Sequence, residues 1–221
     1  MNETPFPQAF LHKFLKLFFD LLYHQFAWAY DFVAWAVSLG MWQDWIRAAI
    51  PFLDGESILE IGHGPGHLLA SLPPTDSSPV GIDLSPQMGT IAKQRLTRQG
   101  SPARLANASG KQLPFRSGFF DHVAATFPTE YITHPETLHE IHRVLKPGGT
   151  FILLPVAWIT GESPLPRLAK WLFEVTGQTL DRDHPQFEVG MKLLRDHNFS
   201  PETKHILLKN SEVLVIQAAK K

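Results

Sequence analysis

The pattern of apolar and polar residues changes near Pro51 and divides the chain into two parts. Over residues 10–45, polar side chains recur at spacings of three, four or seven on an otherwise apolar stretch, which predicts a helix with one polar stripe. After Pro51, short apolar runs alternate with helical periodicity, and this alternation predicts a mostly parallel α/β sheet with right-handed crossovers. The predicted strands are 57–61, 79–83, 103–106, 120–127 and 150–156, and the predicted helices are 66–72, 85–99, 135–145 and 188–197.

The carboxyl-terminal end departs from this alternation. Two strands, 204–209 and 212–218, follow the last helix and are separated only by Asn210 and Ser211, which predicts a hairpin. A hairpin next to a parallel sheet makes the last strand antiparallel. The expected fold is therefore a doubly wound, Rossmann-like α/β sandwich with a seven-stranded, mostly parallel sheet and an antiparallel last strand.

The length of 221 residues suits one main domain with helical additions. We predict a helical cap over residues 1–50 and a main domain over 51–221, with a helical insertion at about 160–185. The 20 basic and 21 acidic side chains nearly cancel, so no nucleic-acid-binding surface is expected. The absence of cysteine excludes disulfides, thiolate metal sites and cysteine nucleophiles, and it agrees with a reducing, cytoplasmic environment.

Aromatic residues are concentrated in the amino-terminal part, where 13 of the 25 lie between Phe6 and Trp45. The longest stretch there without a charge or an amide, 32–42, has eleven residues, whereas a membrane-spanning helix needs about 20. The polar residues 1–9 do not have the pattern of a secretory signal. Three interpretations stay open: a helix that covers a ligand crevice, a helix that makes a peripheral membrane contact through residues 10–45, or a helix that mediates oligomerisation.

A glycine-rich turn follows the first predicted strand, where residues 60–66 read E-I-G-H-G-P-G. Glycines let the backbone bend tightly and approach a ligand, and the helix that follows presents free N–H groups to an anion. Asp83 ends the second strand, 17 residues after Gly66, where a carboxylate can bind the hydroxyl groups of a ribose. The dinucleotide fingerprint G-x-G-x-x-G fails, because His67 occupies its sixth position. The turn therefore predicts a nucleoside-type ligand other than a dinucleotide.

Four motifs occur in order along the middle of the chain. They are LEIGHGPG (59–66), GIDLSPQM (81–88), LPF with a following FD (113–115 and 120–121) and RVLKPGG (143–149). On these motifs the chain resembles the class I S-adenosylmethionine-dependent methyltransferases, and among them the type 11 branch that includes ubiquinone and menaquinone biosynthesis methyltransferases. The resemblance covers residues 57–156. It implies an enzyme that uses S-adenosyl-L-methionine to methylate a small organic molecule.

The resemblance also implies which residues bind the cofactor. The matching positions are Tyr30, Glu60, Gly62, Gly64, Gly66, Asp83, Leu84, Met88, Asn107, Ala108 and Thr126. Among them, the residues of the glycine turn match contacts to the methionine part, and Asp83 matches the ribose ligand. Asn107 departs from the family, which usually has aspartate there. Its amide oxygen can accept a hydrogen bond from adenine but adds no charge.

The acceptor is expected beyond the fourth strand. A sulfonium methyl group is already activated, so the protein has to hold the acceptor near attack distance and exclude water. Glu130, Tyr131 and His134 are the candidates for a general base, and the alternative for each is a capping or surface residue. Trp158 is a candidate for the wall of an acceptor pocket, or for core packing. The aromatic cap favours an apolar acceptor such as a quinone precursor, a lipid or another hydrophobic metabolite.

The sequence also leaves room for functions other than methyl transfer. A non-catalytic S-adenosylmethionine-binding protein and a peripheral membrane protein are the alternatives to an enzyme, and His67 disfavours a nicotinamide dehydrogenase. No metal site is predicted, because the pair His139 and His142 has no matching carboxylate signature.

Overall fold

Seven strands form one sheet in the computed structural model, which describes residues 34–35, 38–73, 79–160 and 185–221. The strands are β1 Ile58–Ile61, β2 Val80–Asp83, β3 Arg104–Asn107, β4 Phe120–Thr126, β5 Leu145–Ile159, β6 Phe199–Leu208 and β7 Ser211–Lys220. The helices are α1 Trp42–Arg47, α2 His67–Ser71, α3 Pro86–Gln99, α4 Pro135–Val144 and α5 Pro185–Asp196, with 3-10 turns at Ile50–Phe52 and Glu130–Thr133.

Part of the predicted architecture lies outside these ranges. It includes Tyr30, most of the cap over residues 1–50 and nearly all of the insertion at about 160–185. The helix α1 is the described end of the cap. Within the described ranges, no helix is both long enough and apolar enough to cross a membrane. The membrane contact through residues 10–45 stays a prediction.

The strands lie in the order β3-β2-β1-β4-β5-β7-β6. The strands β1 to β5 are parallel to one another, and β7 is antiparallel to both β5 and β6. This confirms the predicted seven-stranded, mostly parallel sheet with an antiparallel last strand, which lies one position inside the edge. The strand order reverses between β1 and β4, and doubly wound sheets bind ligands at the carboxyl ends of the strands at such a point.

Both faces of the sheet are covered, which explains why the central strands are mostly apolar. On one face, Leu59 and Phe151 pack with residues of α4 and α5. On the other face, Ile58 and Ile152 pack with residues of α1 and α2. The described end of the amino-terminal cap is therefore part of the core of the domain.

Two predicted boundaries at the carboxyl-terminal end were wrong. The strand β6 begins at Phe199 rather than at residue 204, because it is an edge strand whose mostly exposed side chains hide the expected alternation. The hairpin turn consists of Lys209 and Asn210. Ser211, which was predicted to lie in the turn, is buried at the start of β7.

The strand β5 is longer than the predicted 150–156 at both ends. It begins at Leu145, which pairs with β4 before an irregularity in the register, and it ends at Ile159, which pairs with β7. Trp158 therefore lies within the strand and not beyond it. The predicted helix over 10–45 is wrong in its described part, because Leu39 and Gly40 have φ values of +53° and +83° and form a turn at 38–40 before α1. The remaining predicted elements that the structure describes agree with it to within about three residues at each end, as expected for boundaries drawn from sequence.

Asp121 connects three segments at the amino-terminal edge of the sheet. Its Oδ1 accepts a hydrogen bond from Lys146 Nζ at 2.7 Å, and its Oδ2 accepts from the backbone N–H and the hydroxyl of Ser57 at 3.0 and 2.7 Å. Burial by itself would raise the pKa of Asp121. The hydrogen bonds from Lys146 and Ser57 outweigh burial and lower the pKa to about 2.

We expect Asp121→Asn to lower the free energy of unfolding by about 2 kcal/mol near neutral pH, because the ionised carboxylate is favoured in the folded state. This contribution is fully present above the ordinary aspartate pKa and is lost as the pH falls through about 2. The difference in the free energy of unfolding between variant and wild type, measured with urea, should therefore decrease as the pH is lowered from about 4 to about 2. The exposed Asp196→Asn serves as the control. If this difference in free energy does not change with pH, the ionised carboxylate of Asp121 is not what stabilises the folded state.

Candidate active site

Residues 62–66 turn the chain from β1 into α2 at the carboxyl-terminal edge of the sheet. The N–H groups of Gly62 and His63 donate to the carbonyl of Ile82 at 2.8 and 3.1 Å, which holds the turn against β2. Gly62 has a φ of +72° and Gly64 a φ of +50°, in the region where a side chain is strained. A Cβ on Gly64 would meet nothing within 4 Å, so the turn is open to a ligand at this point.

Asp83, the last residue of β2, faces this turn. Its Oδ2 accepts a hydrogen bond from the N–H of Gly64 at 2.9 Å, and its Oδ1 accepts from the N–H of Ser85 at 2.8 Å. A carboxylate has about four lone-pair positions, so each oxygen can accept a further hydrogen bond. Ser85 caps α3 as its sequence position predicts, since its hydroxyl oxygen accepts from the N–H of Met88 at 3.3 Å. The carboxylate is thus held in place between two segments of backbone.

The rim beside Asp83 is formed by residues after β2 and β3. The side-chain amide of Asn107 donates to the carbonyl of Asp83 at 2.9 Å, which leaves its Oδ1 as an acceptor at an exposed position. Ala108 donates its N–H to the same carbonyl at 3.2 Å. Leu84 is 67% exposed, an unusual position for a large apolar side chain, and it lies next to the carboxylate. Met88, in contrast, is fully buried, and its contact with a cofactor stays a prediction.

Glu60 places a carboxyl group in the core just before the turn. It is only 1% exposed, and one oxygen accepts a hydrogen bond from the hydroxyl of Thr126 at 3.3 Å. The other oxygen, Oε2, has no hydrogen-bond partner among the residues that the structure describes. Burial raises the pKa of Glu60 well above its usual range, although the bond from Thr126 opposes this. A cation bound nearby would supply the missing partner and favour the ionised form.

Of the three candidates for a general base, the structure brings only Tyr131 to the turn. Its hydroxyl donates to the carbonyl of Ile61 at 3.1 Å. Glu130 and His134 are exposed on the surface. The spacing of residues does not show that Tyr131 lies against Gly62, since that contact depends on the path of the loop after β4.

The remaining residues of the turn have structural roles. A Cβ on Gly66 would lie 2.9 Å from the Cβ of Ala92, so glycine there lets α2 and α3 approach each other. His63 is 4% exposed, and its Nδ1 lies 2.6 Å from the carbonyl oxygen of Gly64. Burial lowers the pKa of His63, which favours the neutral ring. Over the described part of the chain, no three histidine, aspartate or glutamate side chains come together as a metal site would require.

Together these residues fit a nucleoside joined to a charged amino acid. The carboxylate of Asp83 suits the two hydroxyl groups of a ribose, and the acceptor on Asn107 suits the amino group of a base. The open face at Gly64 leaves room for the chain that joins the two parts of such a ligand. The oxygen of Glu60 that has no partner among the described residues suits an ammonium group.

Comparisons with known proteins point in the same direction. The family described as a methyltransferase domain matches residues 59–153. Demethylmenaquinone methyltransferase of Symbiobacterium thermophilum is 31% identical, over 72% of this chain and 64% of that protein. The ubiquinone/menaquinone biosynthesis C-methyltransferase UbiE of Nitrosospira multiformis is 30% identical, over 78% of this chain and 75% of that protein.

Solved structures show the same fold. The YcgJ protein from Bacillus subtilis has a TM-score of 0.58 at 15% identity, over 80% of this chain and 98% of that chain. A SAM-dependent methyltransferase from Aquifex aeolicus has a TM-score of 0.52 at 17% identity, over 73% of this chain and 81% of that chain. At such identities the likeness concerns the fold alone.

Proposed function

Because the chain belongs to the class I S-adenosylmethionine-dependent methyltransferases of the type 11 branch, we propose that it methylates a ring carbon of a reduced, apolar quinone precursor. Membership of the family implies the enzyme class and the methyl donor, and our proposal adds the identity of the acceptor. The observation that carries it is the similarity to two relatives whose names specify menaquinone or ubiquinone precursors. The relative from Symbiobacterium extends well beyond the matched part, since this chain spans 64% of its length.

The residues around the glycine turn would hold the cofactor. S-Adenosylmethionine supplies a methyl group on a positively charged sulfur, which is already activated for displacement. Asp83 would accept hydrogen bonds from the ribose, and Asn107 would accept one from the adenine amino group. Glu60 would pair with the ammonium of the methionine part, because its Oε2 has no hydrogen-bond partner within the described part of the chain.

Aromatic side chains lie near the carboxyl ends of β4 and β5, where they pack on opposite faces of the sheet. The ring of Phe127, directly after β4, packs on Trp42 with a centroid distance of 4.8 Å. Trp158, near the end of β5, is half-buried and lies 6.1 Å from the ring of Phe187. Rings of this kind can offer stacking and edge contacts to a flat apolar molecule, so either group could contribute to an acceptor site.

Transfer to a ring carbon requires an electron-rich ring. Loss of a proton from a hydroquinone hydroxyl increases the electron density at the neighbouring carbon. The carbon–methyl bond then forms as the sulfur–methyl bond breaks, and the methylated carbon gives up its hydrogen as a proton to restore the aromatic ring. The chain's contribution is to orient the ring and exclude water, and a group in the crevice can help to remove a proton.

The test uses the full chain with S-adenosylmethionine that carries an isotopically labelled methyl group. The acceptor is demethylmenaquinone with a short isoprenoid tail, reduced to its quinol, and the Asp83→Ala variant serves as the control. We expect mass spectrometry and NMR to find the label on a ring carbon with the wild type and a much smaller yield with the variant. Label on oxygen would overturn the carbon assignment. Calorimetric binding of the cofactor without any transfer would overturn the acceptor and favour a non-catalytic binding protein.

A further inference from the structure

The side chain of Tyr131 links two neighbouring strands across the crevice. Tyr131 belongs to the 3-10 turn Glu130–Thr133 that follows β4, and its hydroxyl donates to the carbonyl of Ile61, the last residue of β1, at 3.1 Å. The side chain is half-buried, between the exposed Glu130 and the buried Ile132. The phenol therefore lies at the point where the glycine turn begins.

The contact between this phenol and the turn is close. A Cβ on Gly62 would lie 2.1 Å from the hydroxyl oxygen of Tyr131, 3.1 Å from its Cζ and 3.7 Å from its Cε1. At Gly64, two residues further along the turn, a Cβ would meet nothing within 4 Å. The turn is thus open at the end that Asp83 contacts and covered by Tyr131 at the other end.

The chain leaves β4 through Phe127, four residues before Tyr131. Phe127 has a φ of +47°, a conformation that aromatic residues rarely adopt. Its N–H donates to the carbonyl of Leu154 on β5 at 2.8 Å, and its ring packs on Trp42. These contacts hold the strained residue in place, and strain of this kind is concentrated at functional sites.

The effect of an electron-rich phenol at this position depends on the charge of the cofactor's sulfur. In S-adenosylmethionine the sulfur is joined to the ribose through one carbon, so a ribose held by Asp83 would keep the sulfur close to the glycine turn. The sulfur is positively charged in the donor and neutral in the product, S-adenosylhomocysteine. An aromatic ring attracts a cation, and the ring of Tyr131 lies beside the turn, with its Cζ 3.1 Å from where a Cβ on Gly62 would be.

We infer that Tyr131 is a specificity-determining residue, which favours the sulfonium donor over the neutral product because its phenol lies against the glycine turn. Preference for the donor reduces inhibition by the product and promotes its release. The inference rests on the family's cofactor and not on the proposed quinone acceptor. If the quinone acceptor is disproved, the inference about Tyr131 is unaffected, and the reverse also holds.

The test measures dissociation constants of the full chain by calorimetry, for S-adenosylmethionine, S-adenosylhomocysteine and sinefungin, whose amine carries the positive charge near the position of the sulfonium. Two variants are compared with wild type. Tyr131→Leu removes the aromatic ring, and Tyr131→Phe keeps the ring but removes the hydroxyl. The exposed His134→Leu on the same loop is the matched control.

We expect Tyr131→Leu to weaken binding of both cationic ligands about tenfold and to change the affinity for S-adenosylhomocysteine less than about twofold. Tyr131→Phe should lie between Tyr131→Leu and wild type, and His134→Leu should match wild type. Equal weakening of all three ligands by Tyr131→Leu, or no weakening, would overturn the inference. If Tyr131→Leu does not fold, as judged by thermal unfolding, Tyr131→Phe decides by the same comparison.

Discussion

Replacing Gly62 with alanine is expected to lower the free energy of unfolding by about 2–4 kcal/mol and to abolish tight cofactor binding. Two separate effects add up in this variant. The φ of +72° is strained for any residue with a side chain. In addition, the new Cβ would lie 2.1 Å from the hydroxyl oxygen of Tyr131, which has to move and give up its bond to Ile61. Urea unfolding and calorimetric titration with S-adenosylmethionine measure the two results.

A second glycine and a double variant separate these effects. Gly89 lies in α3, where a Cβ would meet nothing within 4 Å, so Gly89→Ala should leave stability unchanged or raise it by up to about 1 kcal/mol. In the background of Tyr131→Phe, the change Gly62→Ala should cost less than it does in wild type, since the hydroxyl is gone. An equal cost in both backgrounds would show that Tyr131 does not restrict the space beside Gly62.

Replacing Asp83 with alanine is expected to weaken the binding of S-adenosylmethionine on the order of 100-fold. The variant loses the charged acceptor for the ribose and also the two bonds that fix the backbone of Gly64 and Ser85 at 2.9 and 2.8 Å. S-Adenosylhomocysteine should be affected to the same extent, because its ribose is identical. This equal effect distinguishes Asp83 from Tyr131, for which the two ligands should differ.

The exposed Asp196→Ala on α5 controls for the loss of one negative charge. It should bind both ligands as wild type does. An affinity of Asp83→Ala within about twofold of wild type would show that the ribose binds elsewhere, since even one hydrogen bond to a charged group contributes more than that. Thermal unfolding of the variant without ligand shows how much of the effect comes from the bonds to the turn.

Local chemistry explains the parts of the site that were predictable. The glycine turn and its position after β1 follow from glycine's tolerance of positive φ values at Gly62 and Gly64. The start of α3 follows from Ser85 and Pro86, because a capping hydroxyl and a proline at the first helical position act within one turn of helix. The carboxylate of Asp83 was expected at the turn because parallel strands end at the same edge of a sheet.

Contacts between distant segments were not predictable in the same way. The indole of Trp45 donates to the hydroxyl of Ser211 at 2.8 Å, between residues 166 positions apart in sequence. Ser211 was predicted to lie in a turn, because a serine next to Asn210 favours one. Its burial depends on the register of β7 against β5, which no short stretch of sequence determines.

The sequence by itself determined the alternation of strands and helices, the glycine turn, the placement of Asp83 and the family, since each depends on residues close together in the chain or on an ordered set of motifs. Only the tertiary structure decided that β6 is the outer strand, that Tyr131 covers Gly62 and that Glu60 is buried, with one oxygen to which no described residue donates a hydrogen bond. The physical reason is that these features arise where separate elements meet. Their geometry depends on strand register, loop path and burial, which are properties of the packed chain as a whole.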